Sequence, residues 1–121
     1  METKSGQINI DDFKKVELVV GQILSASKIP ETDKLLKLSV DLGESVPRTI
    51  VSGISLHFPD CSVLVGKKCM FVANLEPRII RGIESQGMIL AVSEASATSE
   101  GLEKFSLLEP NCDIAVGTKA K

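Results

Sequence analysis

Val16-Glu17-Leu18-Val19-Val20-Gly21-Gln22-Ile23-Leu24-Ser25-Ala26-Ser27-Lys28-Ile29 is a long run of residues that favour extended backbone. One glycine, Gly21, interrupts it. An isolated glycine inside a strand predicts a bulge or a sharp bend. A long, bent first strand is what a small closed barrel needs, because that strand must belong to two sheets at once.

Towards the N-terminus, Asn9 reads as the cap of a short helical turn over Ile10-Asp11-Asp12-Phe13-Lys14-Lys15. Acids fall in its first turn and lysines in its last, the order that complements the helix dipole. Phe13 is expected to anchor this turn to the core. Residues 1–8 read as a flexible leader, and residues 9–121 as one domain.

Towards the C-terminus, Pro30-Glu31-Thr32-Asp33 marks a turn. Leu36, Leu38, Val40 and Leu42 then alternate with Lys37, Ser39 and Asp41, a period of two that predicts a half-buried strand. Gly43-Glu44-Ser45 turns the chain, and Arg48-Thr49-Ile50-Val51-Ser52 reads as a third strand. Ser52 is expected to cap a short helix over residues 53–57, broken by Pro59-Asp60. Strands four and five are placed near residues 69–73 and 88–93. Residues 95–101 read as a loop, residues 105–108 as a last short strand, and residues 117–121 as a frayed end. The expected fold is all-β. Short strands at regular spacing suggest a five-stranded barrel of the oligonucleotide-binding (OB) type, with a short helix between strands three and four and short terminal extensions, a specific topology that rests mainly on a family resemblance.

Composition narrows the function. Hydrophobic residues make up 43% of the 121, enough for a packed core, with no apolar run long enough to span a membrane. The first residues lack an apolar signal segment, which predicts the cytoplasm and no membrane partner. Fourteen basic and 16 acidic residues give a net charge of −2, so any nucleic-acid surface must come from local placement of cations. Tyr and Trp are absent and there are four Phe, a poor supply of stacking platforms. Cys61, Cys69 and Cys112 show no Cys-x-x-Cys spacing and there is one histidine. They read as free thiols, with no metal and no cofactor expected. No nucleophile elbow, phosphate-cradling glycine loop or zinc-protease motif is present. His57, beside Phe58 and Pro59, reads as structural. A binding domain is expected, not an enzyme.

The binding chemistry concentrates in Asn74-Leu75-Glu76-Pro77-Arg78-Ile79-Ile80-Arg81-Gly82-Ile83-Glu84-Ser85-Gln86-Gly87-Met88. Pro77 restricts the backbone, while Gly82 and Gly87 permit positive φ and close approach. Arg78 and Arg81 present planar forks suited to phosphate. On pattern alone, a charged surface loop fits equally well.

The pattern Asn-Leu-x-Pro-Arg-x-x-Arg-Gly-x-x-Ser-x-Gly-Met resembles the signature of the tRNA-binding domain appended to methionyl-tRNA synthetases. Related modules occur as small stand-alone proteins. Further matching blocks are Asp12-Phe13-x-Lys15-Val16, Asp33-Lys34-Leu35-Leu36-x-Leu38, Ile50-Val51-Ser52-Gly53-Ile54 and Ser85-Gln86-Gly87-Met88-Ile89-Leu90, so the resemblance spans residues 10–119. It implies a non-catalytic module that holds tRNA for aminoacylation, a homodimer, and association with a methionyl-tRNA synthetase catalytic subunit or domain. It implies tRNA contacts from Lys34, Lys37, Asn74, Arg78, Arg81, Ser85 and Met88. Asn74 and Ser85 would reach base edges or sugar, and Met88 would pack on a base unless it fills the core. The chain departs from many relatives at Val19, where a basic residue is missing. The alternative is a secretion-chaperone-like, peptide-binding relative on the same fold.

Overall fold

The computed structural model describes residues 6–94 and 104–121. Their elements are α1 (Ile10–Lys14), β1 (Leu18–Lys28), β2 (Leu36–Asp41), β3 (Arg48–Ser52), β4 (Lys68–Val72), β5 (Arg78–Ile80), β6 (Ile83–Ser85), β7 (Met88–Ile89), β8 (Ala91–Glu94) and β9 (Lys104–Leu107). Two 3-10 turns, Ser55–His57 and Cys61–Leu64, lie between β3 and β4.

β1 organises the sheet. Its first half pairs antiparallel with β4, Leu18 opposite Val72 and Gln22 opposite Lys68. Its second half pairs antiparallel with β2, Gln22 opposite Asp41 and Lys28 opposite Leu36. β3 continues from β2 and β7 from β4, giving the order β3-β2-β1-β4-β7. The two outer edges then meet. The Gln86 N–H donates to the Thr49 carbonyl at 2.8 Å, and the Val51 N–H donates to Ser85 Oγ at 2.9 Å. These bonds draw the five strands into a nearly closed barrel, which leaves little unpaired edge.

The bend in β1 sits three residues past the expected place. Pairing with β2 passes from Ile23–Val40 to Ser25–Ser39, so the irregularity falls at Leu24. Gly21 has another reason to be glycine. A Cβ there would stand 2.5 Å from Leu42 Cδ2 and 2.7 Å from Phe71 Cδ1. The Phe71 ring and Leu42 pack directly over the bare backbone.

The alternation in β2 is realised as read: Leu36, Leu38 and Val40 are fully buried, as are Ile23, Ile50, Leu64, Cys69 and Phe71. Each large apolar side chain taken from water this way contributes about 1.5–3 kcal/mol before chain entropy is counted. Burial pushes the Cys69 thiol up to about 11. Cys61 and Cys112 are also free, half-buried and exposed respectively.

Three local expectations need correction. The helix between β3 and β4 is a pair of 3-10 turns, and the α-helix among the described residues is α1, ahead of the barrel. Ser52 does not cap the first turn; Ile54 occupies that place without a side-chain bond, while Asp60 caps the second, accepting from the Ser62 N–H at 3.1 Å. Phe13 does not anchor α1, none of whose residues is buried. It lines a shallow cleft with Ile10, Val16 and Lys119 instead. The Asn9 cap itself is present, its Oδ1 accepting from the Asp12 N–H at 2.8 Å.

The C-terminal residues are paired, not frayed. The Gly117 N–H donates to the Val20 carbonyl at 2.7 Å, the Val20 N–H to the Thr118 carbonyl at 2.9 Å, and the Ala120 N–H to the Leu18 carbonyl at 2.7 Å. This tail takes the edge of β1 that β2 leaves open. Residues 1–5 of the leader and the loop at residues 95–101 lie outside the described residues.

Candidate nucleic-acid interface

Lys37 projects from β2 between the buried Leu36 and Leu38, so it lies on the outer face of the sheet. Its cross-strand neighbours are Ser27 on β1 and Val51 on β3. Lys34 lies in the loop that joins β1 to β2, two residues before the strand begins. Arg78 and Arg81 belong to the β5–β6 hairpin, inserted between β4 and β7. These elements adjoin. Ser85 of the hairpin bonds Val51 of β3, and one cleft is lined by Lys34, Asp33, Glu31 and Arg81 together. The surface over the second and third barrel strands, flanked by the loops after the first and fourth, is where OB barrels take oligonucleotides.

Arg81 sits at the tip of the hairpin. Ile80 pairs with Ile83, and the two residues between them, Arg81 and Gly82, have φ of 52° and 78°. Two positive φ angles in a two-residue hairpin loop mark a type I′ turn, which favours Asn, Asp or Gly at both places. An arginine in this conformation costs on the order of 1 kcal/mol. Glu31, the one other non-glycine residue with positive φ among the described residues, lines the same cleft.

The side chains of Lys34, Lys37, Arg78 and Arg81 make no ion pair or hydrogen bond among the described residues. Arg78 and Arg81 are exposed. Met88 is 46% exposed, so it is not a core filler. It lines a groove with Val51, Leu75, Glu76, Arg78 and Ile80.

Asn74 and Ser85 are placed differently. Asn74 Oδ1 accepts from the Glu17 N–H at 2.9 Å, and its Nδ2 donates to the Lys15 carbonyl. It ties the entry of β1 to the exit of β4. Ser85 is 5% exposed; its Oγ accepts from Val51 and donates to the Gly87 carbonyl at 3.3 Å. Their polar atoms are committed to the backbone of the fold.

Sequence reading missed Arg48. Its Nε and Nη2 hold Glu44 at 2.8 and 2.7 Å, and its Nη1 donates to the carbonyls of Ala73 and of Gln86, the latter at 3.1 Å. One guanidinium thus joins β3 to both ends of the inserted segment. Its hydrogen bonds hold the Glu44 carboxyl below the usual carboxylate value. The spacing of Glu44 four residues before Arg48 was the available signal. Exposed Leu75 and Ile79, 48% and 69%, were also passed over. Val19, the departure noted above, is buried in the core opposite Phe71, so its lack of charge belongs to packing. His57 stacks on Phe105 with ring centres 3.9 Å apart. Among the described residues no group of three or more His, Cys, Asp or Glu could hold a metal ion.

A family model described as "Putative tRNA binding domain" matches residues 18–119, from the start of β1 through the paired tail. The chain belongs to this family. Within the tRNA-binding-domain family it is 45% identical over 111 residues to a methionine–tRNA ligase of Methanococcus aeolicus, covering 92% of this chain and 15% of the ligase. The chain spans 14–17% of the length of methionine–tRNA ligases such as this one. A methionyl-tRNA-synthetase-related protein from Pyrococcus horikoshii has the same fold over all of both chains, with a TM-score of 0.80 and 38% identity. The chaperone CsaA of Bacillus anthracis shares the fold at a TM-score of 0.75 and 24% identity. No helix among the described residues is long and apolar enough to cross a membrane.

Proposed function

We propose that this domain binds tRNA without catalysing a reaction, and holds it for a methionine–tRNA ligase. The observation that carries this is the set Lys34, Lys37, Arg78 and Arg81. Four cations free of ion pairs among the described residues come from two loops and one strand face of a barrel whose family matches along the same residues. With a net charge of −2, binding depends on this local placement. Met88 supplies an apolar contact to a base, while Ser85 shapes the surface from beneath and the exposed Asn74 fixes the start of the inserted segment. Holding tRNA beside a ligase raises its effective concentration at the catalytic unit. The proposed setting is the cytoplasm.

A homodimer is part of the same proposal. Ile8, Ile10 and Val16 are exposed around α1 and would be covered by a second copy, doubling the cationic surface by two-fold symmetry. Light scattering at micromolar concentration is expected to give about twice the 13.0 kDa chain mass; a monomer mass throughout rejects the dimer.

The decisive experiment is tRNA affinity at several salt concentrations for wild type, Arg78→Ala and Arg81→Ala. Each variant is expected to bind all tRNAs more weakly and to lower the slope of log affinity against log salt by roughly 0.7–0.9. Wild-type affinity and slope in both variants would remove the hairpin from the RNA site. Binding of an unfolded peptide in preference to tRNA would favour the chaperone-like alternative.

A further inference from the structure

The groove beside Arg78 combines features that phosphate binding does not require. Val51 (7% exposed), Ile80, Leu75 and Met88 give it apolar walls. Glu76 and Arg78 both line it, and neither forms an ion pair among the described residues. A carboxylate on a surface meant only for phosphates weakens binding by repulsion. A slot with apolar walls, one anionic acceptor and one guanidinium suits a flat ligand that is apolar on its faces and carries N–H donors on its edge. An unstacked nucleobase is such a ligand, and single-stranded RNA segments offer them.

We propose that this groove is a base-binding subsite for one unpaired guanine of the bound RNA. The inference rests on the RNA-binding reading above and names what that surface selects. Guanine carries N1–H and the N2 amino group side by side, two donors that match the two oxygens of Glu76. Adenine and cytosine offer one amino group each on that edge, and uracil a single ring N–H. Met88 and Ile80 contact the base faces. Arg78 holds the adjoining phosphate or stacks on the exposed face. Glu76 is therefore a specificity-determining residue, whereas Arg78 and Arg81 supply affinity that does not depend on sequence.

The test is equilibrium binding of wild type, Glu76→Gln and Met88→Ala to one RNA hairpin whose single unpaired loop position is guanosine, inosine, adenosine, cytidine or uridine. Glu76 and Met88 are both exposed, so neither change threatens the fold. Wild type is expected to prefer guanosine over inosine, which lacks the N2 amino group, by roughly tenfold. Glu76→Gln is expected to abolish that preference while leaving the other four hairpins bound at least as well. Met88→Ala is expected to weaken all five by several-fold with an unchanged salt slope. Equal binding of guanosine and inosine hairpins by wild type, or a preference that survives Glu76→Gln, overturns the subsite. If binding still depends on Arg78 and Arg81 in that case, the RNA-binding reading stands and the subsite alone fails. If no hairpin and no tRNA binds, or an unfolded peptide displaces the RNA from the groove, both fail.

Discussion

The base of the β5–β6 hairpin and its tip differ in what their polar groups face. At the base, Ser85 and Gln86 meet the backbone of β3, and Arg48 reaches across to Ala73 and Gln86. At the tip, the Arg81 side chain has no partner among the described residues, and neither has that of Arg78 on the strand that leads to it. One contiguous stretch therefore holds a seam that closes the barrel and a projection left for something else. Polar residues of similar type serve opposite ends. The distinction is decided by which of them can reach an unpaired backbone group, because a buried group left unpaired costs more than an exposed charge gains.

The largest effect should come from breaking the seam. Arg48→Ala removes the donors that serve two carbonyls and Glu44. A loss of about 2–3 kcal/mol is expected, a fall in Tm of roughly 10 °C, with the salt slope of tRNA binding by the folded protein unchanged. The effect should depend on pH. Glu44 is lowered from an ordinary value of 4.5, so its share is fully present above that value and lost as pH falls through the lowered one. The gap between wild type and Arg48→Ala should narrow in acid. A variant that melts with wild type at neutral pH would show that the seam does not hold the barrel.

Ser85→Ala comes next. It strips the buried Val51 N–H of its acceptor, for an expected cost of about 1–2 kcal/mol. Thermal melts and tRNA titrations of the same sample separate the two halves of the comparison: stability should fall and affinity should hold. Lost affinity at unchanged Tm would move Ser85 to the RNA side.

The smallest stability change is the sharpest test of the tip. Arg81→Asn places a residue suited to positive φ in the type I′ turn. Tm is expected to hold or rise, by less than about 1 kcal/mol in stability. Over the same change tRNA affinity is expected to drop, as for Arg81→Ala. A variant that gains stability and keeps wild-type affinity would make Arg81 an accident of the turn.

What could be read from sequence were the features that a few neighbouring residues determine. The period of two in residues 36–42 placed β2 and its buried face, and Asn9 announced the cap of α1, because both depend on local geometry. Arg48–Ser52 was delimited correctly for the same reason. What stayed hidden depends on partners far along the chain. Gly21 looked like a bend because nothing nearby reveals that Phe71 lies over it. Asn74 and Ser85 looked like ligand-facing groups because a loop side chain carries no mark of the backbone atom it will find. Lys34, Lys37, Arg78 and Arg81 could be named from sequence as cations, and the barrel brings Lys34 and Arg81 to one cleft.

The pairing of residues 117–120 with residues 18–20 also has a consequence in time. The first strand acquires its last neighbour only when nearly the entire chain has been brought together. The seam, joining residues 48–51 to residues 85–86, is a second long-range closure. Topologies of this kind fold in milliseconds to seconds, because chain entropy is lost before distant contacts repay it. Until both closures form, the edges of β1 and β3 are open ladders, able to pair with another chain. The tail that looks like an appendage in the finished barrel thus marks the end of the interval in which this small domain is most exposed to aggregation.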